Sequence, residues 1–219
     1  MTAPQGSPTF DPAFQAQLET LFHWRRDVRR FLPTPLPAGQ LDRLITLANG
    51  APSVGLSQPW RFITVEDPTR RAEIRANFTA TNADALAAHA LTDQPTGRSA
   101  TYARLKLAGL VEAPAHLAVC VDPDPTQGHG LGRSTQPETA AYSAVLAIHT
   151  LWLAARAEGL GLGWVSILNP ESALQTLNVP QTWRLVAYLC LGLPATPSET
   201  PELEQEGWET RHPPTILRR

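Results

Sequence analysis

Lysine is nearly absent from this 219-residue chain: one residue, Lys106, stands against 17 arginines. Cysteine is almost as scarce, with only Cys120 and Cys190, each inside an apolar run (HLAVCVD and LVAYLCLG). Such thiols read as buried and free, which excludes a small secreted fold stapled by disulfides. Net charge is lacking too. The 18 basic and 20 acidic residues leave −2, which argues against a nucleic-acid or polybasic membrane binder. No basic segment leads into an apolar one at the start, where MTAPQGSPTF is polar and Pro-rich. One uncharged stretch, residues 139–155, is interrupted by Tyr142, Ser143, His149 and Thr150 and is short for a membrane span. It reads as a buried core helix, and the chain as cytoplasmic.

Metal and nucleophile motifs are missing as well. The six histidines (His23, His89, His116, His129, His149, His212) are scattered, and neither cysteine has a partner at zinc-finger spacing. No metal site is expected. There is no G-x-S-x-G elbow. The glycine-rich GLGLGW at 159–164 lies between a helix and a strand, whereas a dinucleotide fingerprint needs strand, loop, then helix. A Rossmann domain is therefore excluded.

What is present is a mixed chain of helices and roughly four strands. Asp11-Pro12 is a helix-opening pair, followed by FQAQLETLFHWRR. FLPTPLP cannot be helical and forms an extended connector. AGQLDRLITLAN is a second amphipathic helix, RFITVED a strand, and residues about 68–112 an interrupted helical region with a break near 92–97. HLAVCVD, GWVSIL and WRLVAYLCLG complete the strands, and a Pro/Gly-rich loop spans 123–137. The order predicts one domain over 1–219 of α+β or α/β layers, with flexible ends at 1–10 and the C-terminus.

Two segments carry chemistry. Arg25-Arg26-Asp27-Val28-Arg29-Arg30 places four guanidinium groups within six residues. These repel one another unless an anion is near, and their planar forks match phosphate oxygens. A solvated basic face explains the composition equally well. APSVGLSQPWRF combines serines, an amide and an aromatic in a loop entering a strand. Such a loop can reach the edge of a planar ligand, although Ser and Pro are also ordinary turn residues.

Together these segments resemble the FMN-dependent nitroreductase superfamily. The pattern is an R-[RS]-x-x-R segment, a P-S-x-x-x-x-Q-P-W loop, a late glycine-rich strand and a C-terminal basic residue. Here these are Arg25 to Arg29, Pro52 to Trp60, Gly161 to Ser166, and Arg211. RRDVRRF, APSVGLSQPWRF, YARLKLAGLVEAPAHLAV, PET, LWLAARAEGLGLGWVSIL and VAYLCLG are similar to a flavin-fragmenting branch of that superfamily. The tail around Arg211 is less apolar than that branch's pattern.

The resemblance implies a homodimer with an α+β fold, a mixed sheet of four to five strands, and FMN in a cleft between subunits. It implies a reaction in which reduced FMN is the substrate and O2 the co-substrate. The products would be 5,6-dimethylbenzimidazole and erythrose 4-phosphate, with FMNH2 supplied by a separate flavin reductase. Carried over residue by residue, Arg25, Arg26 and Arg29 clamp the phosphate, Val28 binds the cofactor within the same segment, and Asp27 moves protons. Ser166 positions the reacting oxygen or the flavin edge. Ser53, Gly163 and Arg211 contact the flavin, and Leu107 packs on its ring within a lid over 92–112. No metal, nucleic acid or membrane is implied. Two other functions stay open: an NAD(P)H-dependent FMN nitroreductase or flavin reductase, and a flavin carrier without turnover.

Overall fold

The computed structural model describes residues 8–90 and 106–219. Four strands form one sheet: β1 (Trp60–Thr64), β2 (Ala115–Val121), β3 (Gly161–Val165) and β4 (Arg184–Gly192). Their order is β1-β2-β4-β3, and every neighbouring pair is antiparallel. The parallel component of the sheet comes from outside these strands, where Asp27 bridges Leu162 on the outer edge of β3. The helices are α1 (Pro12–Trp24), α2 (Gln40–Ala48), α3 (Pro68–Ala90), α5 (Leu131–Thr135), α6 (Thr139–Ala157), α7 (Pro170–Leu177) and α8 (Glu202–Gln205). Residues 106–112 make a further helical segment, α4.

Local chemistry explains most of these boundaries. Asp11 caps α1 by accepting the Phe14 N–H at 2.7 Å, with Pro12 at the first turn. The helix stops at Trp24 because Arg25 turns extended. Asn169 caps α7 in the same way through Ser172. After α6, Gly159 takes a φ of 78° that a side chain would resist.

The sheet is buried on both faces, as the unbroken apolar runs of β2 and β4 require. On one face Leu117, Val119, Leu189 and Leu191 pack with Ala144, Ile148 and Leu151 of α6 and Leu44 of α2. On the other, Ala118, Tyr188 and Cys190 pack with Ile74 and Phe78 of α3 and Ala173 of α7. Each fully buried Leu or Ile contributes about 1.5–3 kcal/mol. Both thiols are buried and free, and burial lifts Cys120 to about 11 and Cys190 to about 12.

Three local expectations are corrected. The third strand runs over Gly161–Val165 rather than 163–168, so Ser166 lies just past its end. The glycines belong inside the strand because Val28 crosses it. A Cβ at Gly161 would stand 2.7 Å from a Val28 methyl, and one at Gly163 only 2.1 Å from the Val28 carbonyl oxygen. The 123–137 loop contains the short helix α5. His149, read as part of a core helix, faces solvent.

Candidate active site

The arginine segment leaves α1 as extended chain and lies along the open edge of β3. Val28 donates its N–H to the Leu162 carbonyl at 3.0 Å. One register step on, a side chain replaces backbone: Asp27 Oδ1 accepts the Trp164 N–H at 2.8 Å. The other carboxylate oxygen, Oδ2, accepts from Arg29 Nη2 at 2.8 Å and from Lys106 Nζ at 2.6 Å. Lys106 also donates to the Trp164 carbonyl. Asp27 and Lys106 thus hold both ends of residue 164's backbone, two residues before Ser166. Arg29 and Lys106 are buried, while Asp27 retains 26% exposure toward solvent.

Arg30 pairs with Glu112 at 3.4 Å, whereas Arg25 and Arg26 are braced by stacking and backbone contacts. Arg25 stacks over the Trp152 ring at 5.1 Å, and Trp152 Nε1 donates to the Arg26 carbonyl at 3.0 Å. Arg26 donates to two backbone oxygens, those of Arg25 (2.7 Å) and Glu199. Burial first, then the charges of Arg211 and Arg25, hold the Arg26 guanidinium below its ordinary pKa. Arg211 therefore lies within electrostatic reach of the clamp, although its side chain is exposed.

A cleft of about 220 Å³ opens beside this segment. Arg26, Arg29, Arg30 and Arg156 line it with Thr196, Ser198 and Thr200. Guanidinium forks and hydroxyls are the donor set a phosphate monoester needs. Glu202 shares the cleft and lies 3.4 Å from Arg29 Nη1.

The structure gathers Arg25, Arg26, Asp27, Val28, Arg29 and Gly163 along the β3 edge, with Ser166 just past its end, while Arg211 is linked to them only through its charge on Arg26. Ser166 is exposed there. Gly163 is turned toward Val28, so its lack of a side chain serves packing of the clamp. Leu107 follows Lys106 in sequence and packs partly on the core around Tyr188. Of the lid expected over 92–112, residues 92–105 lie outside the described residues.

Ser53 stands apart. Its Oγ accepts the Gln58 N–H at 3.1 Å, closing the loop, and the adjacent Val54 N–H donates to Ser143 near the start of α6. The clamp is anchored at Trp152, nine residues further along that helix. That spacing separates the two anchor points by roughly 13 Å along the axis.

From the sequence, Trp152 and Trp164 read as core residues, and both do pack against the core; Lys106 and Glu202 are not singled out. Only Lys106 had a signal, as the single lysine among arginines. Among the described residues, no group of three or more His, Cys, Asp or Glu converges as a metal site. No described helix is long and apolar enough to cross a membrane.

An antiparallel sheet with an arginine-lined cleft at its open edge defines an α+β domain whose cleft has the donor chemistry a phosphate group would need. The chain belongs to the nitroreductase family, whose model matches residues 23–193. Within it, the chain is 54% identical to the 5,6-dimethylbenzimidazole synthase of Rhodospirillum rubrum, over 97% of this chain and 98% of that protein. It is 46% identical to the protein of the same name from Rhodobacter capsulatus, over 96% and 99%. Among solved structures, oxidized iodotyrosine deiodinase bound to FMN and 3-iodo-L-tyrosine superposes with a TM-score of 0.69 at 26% identity, over 92% and 97% of the two chains.

Proposed function

We propose that this chain is an oxidoreductase that fragments reduced FMN with O2, releasing 5,6-dimethylbenzimidazole and erythrose 4-phosphate. The observation that carries the proposal is the Asp27 carboxylate, held on the β3 edge by the Trp164 N–H and bonded to Arg29 and Lys106. The shared name of the relatives at 42–54% identity supports the product. FMN supplies the ring that is dismantled and the phosphate that fixes it in place.

Arg25, Arg26 and Arg29 would hold that phosphate, which restricts the ribityl chain to one geometry before any bond breaks. Asp27, partly exposed beside the clamp, is placed to take and return protons. The Ser166 hydroxyl stands two residues beyond the point that Asp27 and Lys106 fix. Simple hydride exchange would require neither the carboxylate nor this hydroxyl.

A second copy completes the site. The Ser53 loop is anchored on α6 roughly 13 Å from the clamp's anchor at Trp152, and in a dimer with FMN between the subunits Ser53 would contact the flavin whose phosphate the partner holds. Tyr142, Val145 and Leu146 leave an apolar strip of α6 at 59%, 40% and 46% exposure, a surface that favours association. We place the homodimer in the cytoplasm, with a separate flavin reductase supplying FMNH2.

The test is anaerobic mixing of protein with excess FMNH2, admission of O2, and detection of 5,6-dimethylbenzimidazole by chromatography and mass. Product above a protein-free control supports the proposal. Reoxidised FMN and H2O2 alone would overturn it in favour of a reductase or carrier. NADPH oxidation with an added nitroaromatic then separates those two.

A further inference from the structure

We infer that Lys106 is a positioning residue for the reaction, acting through Asp27 and the Trp164 peptide to fix the carboxylate and Ser166 relative to each other. The inference rests on the function proposed above and adds a residue to that site.

The chemistry of the position argues for it. A chain that uses arginine 17 times places its one lysine here, 4% exposed on α4. Its ammonium bridges two groups at once, Asp27 Oδ2 at 2.6 Å and the Trp164 carbonyl. A compact head with three N–H donors can serve two acceptors that converge from different strands of chain. The planar fork of arginine is larger and suits two oxygens of one group better.

The geometry also explains why the pair matters for Ser166. At the open edge of β3, residue 164 has no backbone hydrogen-bond partner on its outer side among the described residues. Asp27 accepts its N–H and Lys106 donates to its carbonyl. These two side chains stand in for a neighbouring strand. Burying an ammonium without its carboxylate is costly, so neither member should function without the other.

Two arms test this. In the first, product formation is measured for Lys106→Met, Asp27→Asn and the double variant, with FMN affinity measured alongside. We expect Lys106→Met to lose roughly tenfold or more in turnover while FMN affinity moves less than about threefold. The double variant should be no slower than Asp27→Asn alone, and Lys106→Arg should recover part of the loss. Independent losses that multiply in the double variant, or wild-type turnover in Lys106→Met, would overturn the inference.

The second arm needs no turnover and does not require Lys106→Met to fold. Lysine-selective 15N labelling gives a single side-chain Nζ signal, because Lys106 is the chain's one lysine. A buried, bonded ammonium should exchange slowly and show a cross-peak that is lost in Asp27→Asn. A signal unchanged by that substitution would refute the coupling. If wild-type protein makes no benzimidazole, the proposed function fails, while this arm still decides whether Lys106 and Asp27 are coupled.

Discussion

Asp27 Oδ1 accepts the backbone N–H of Trp164 at 2.8 Å, across 137 residues of chain. A carboxylate is thereby built into the edge of a sheet, with its second oxygen turned to two cations. Asp27→Asn breaks this arrangement in either orientation of the amide. One orientation sets NH2 against Lys106 and Arg29, and the other sets it against the Trp164 N–H. We expect turnover to fall roughly 100-fold or more and stability by about 1–3 kcal/mol, with FMN affinity kept within about tenfold. Product analysis, urea unfolding and flavin fluorescence check the three parts.

Ser166 separates chemistry from structure. It is exposed just past β3, so Ser166→Ala should change stability by less than about 0.5 kcal/mol. Benzimidazole formation should nevertheless drop roughly tenfold or more. A melt that shifts as much as the rate falls would assign the serine a structural role.

The phosphate role proposed for Arg26 can be separated from a general effect on flavin binding. Arg26→Met should weaken FMN binding by about 10- to 100-fold, the value of a charge-assisted hydrogen bond. Riboflavin, which has no phosphate, should bind wild type and variant alike. Equal weakening of both flavins in a fluorescence titration would remove Arg26 from the phosphate site.

Gly163→Ala tests whether the clamp depends on close backbone approach. The new methyl would stand 2.1 Å from the Val28 carbonyl oxygen, a clash between backbones that no rotamer relieves. Overpacking of this kind costs about 1–3 kcal/mol, and here it displaces the arginine segment, so FMN affinity should fall too. Gly159→Ala is the control. Its φ of +78° with nothing within 4 Å predicts a loss of about 1 kcal/mol and no change in FMN affinity.

The pH dependence of stability should carry the mark of a residue outside the site. His116 is buried with Nδ1 2.9 Å from the Tyr188 hydroxyl. Burial first, then the charge of Arg71, lowers its pKa from 6.5 to about 4. Between these values the unfolded chain binds a proton that the folded chain refuses. Stability from this group is therefore complete above pH 6.5 and lost as pH falls toward 4. Between pH 7.5 and 5.0, wild type should lose about 2 kcal/mol more than His116→Gln in urea unfolding. Equal losses would show that His116 titrates normally.

Much of this was legible along the chain because it depends on near neighbours. The Asp11 cap, the proline connector, the buried strands and the end of α6 at Gly159 all follow from local rules. The cluster Arg25 to Arg29 also stands out by composition. What the residues do there was not legible. Trp152 looks like a core aromatic until its ring lies beneath Arg25 and its indole nitrogen meets the Arg26 carbonyl. Glu202 sits in an acidic tail until it comes beside Arg29.

The sequence by itself determined the mixed helix–strand composition of this protein, its buried strands and an arginine cluster chemically suited to an anion. These depend on periodicity, capping and side-chain chemistry, which are properties of short segments. Only the tertiary structure decided that Asp27 and Lys106, 79 residues apart, would meet at residue 164 and finish the edge of β3. That meeting depends on where a strand edge lies open and on what is packed over it. Such a relation exists only once the sheet has formed, because the unpaired backbone groups of β3 are what draw the two side chains together.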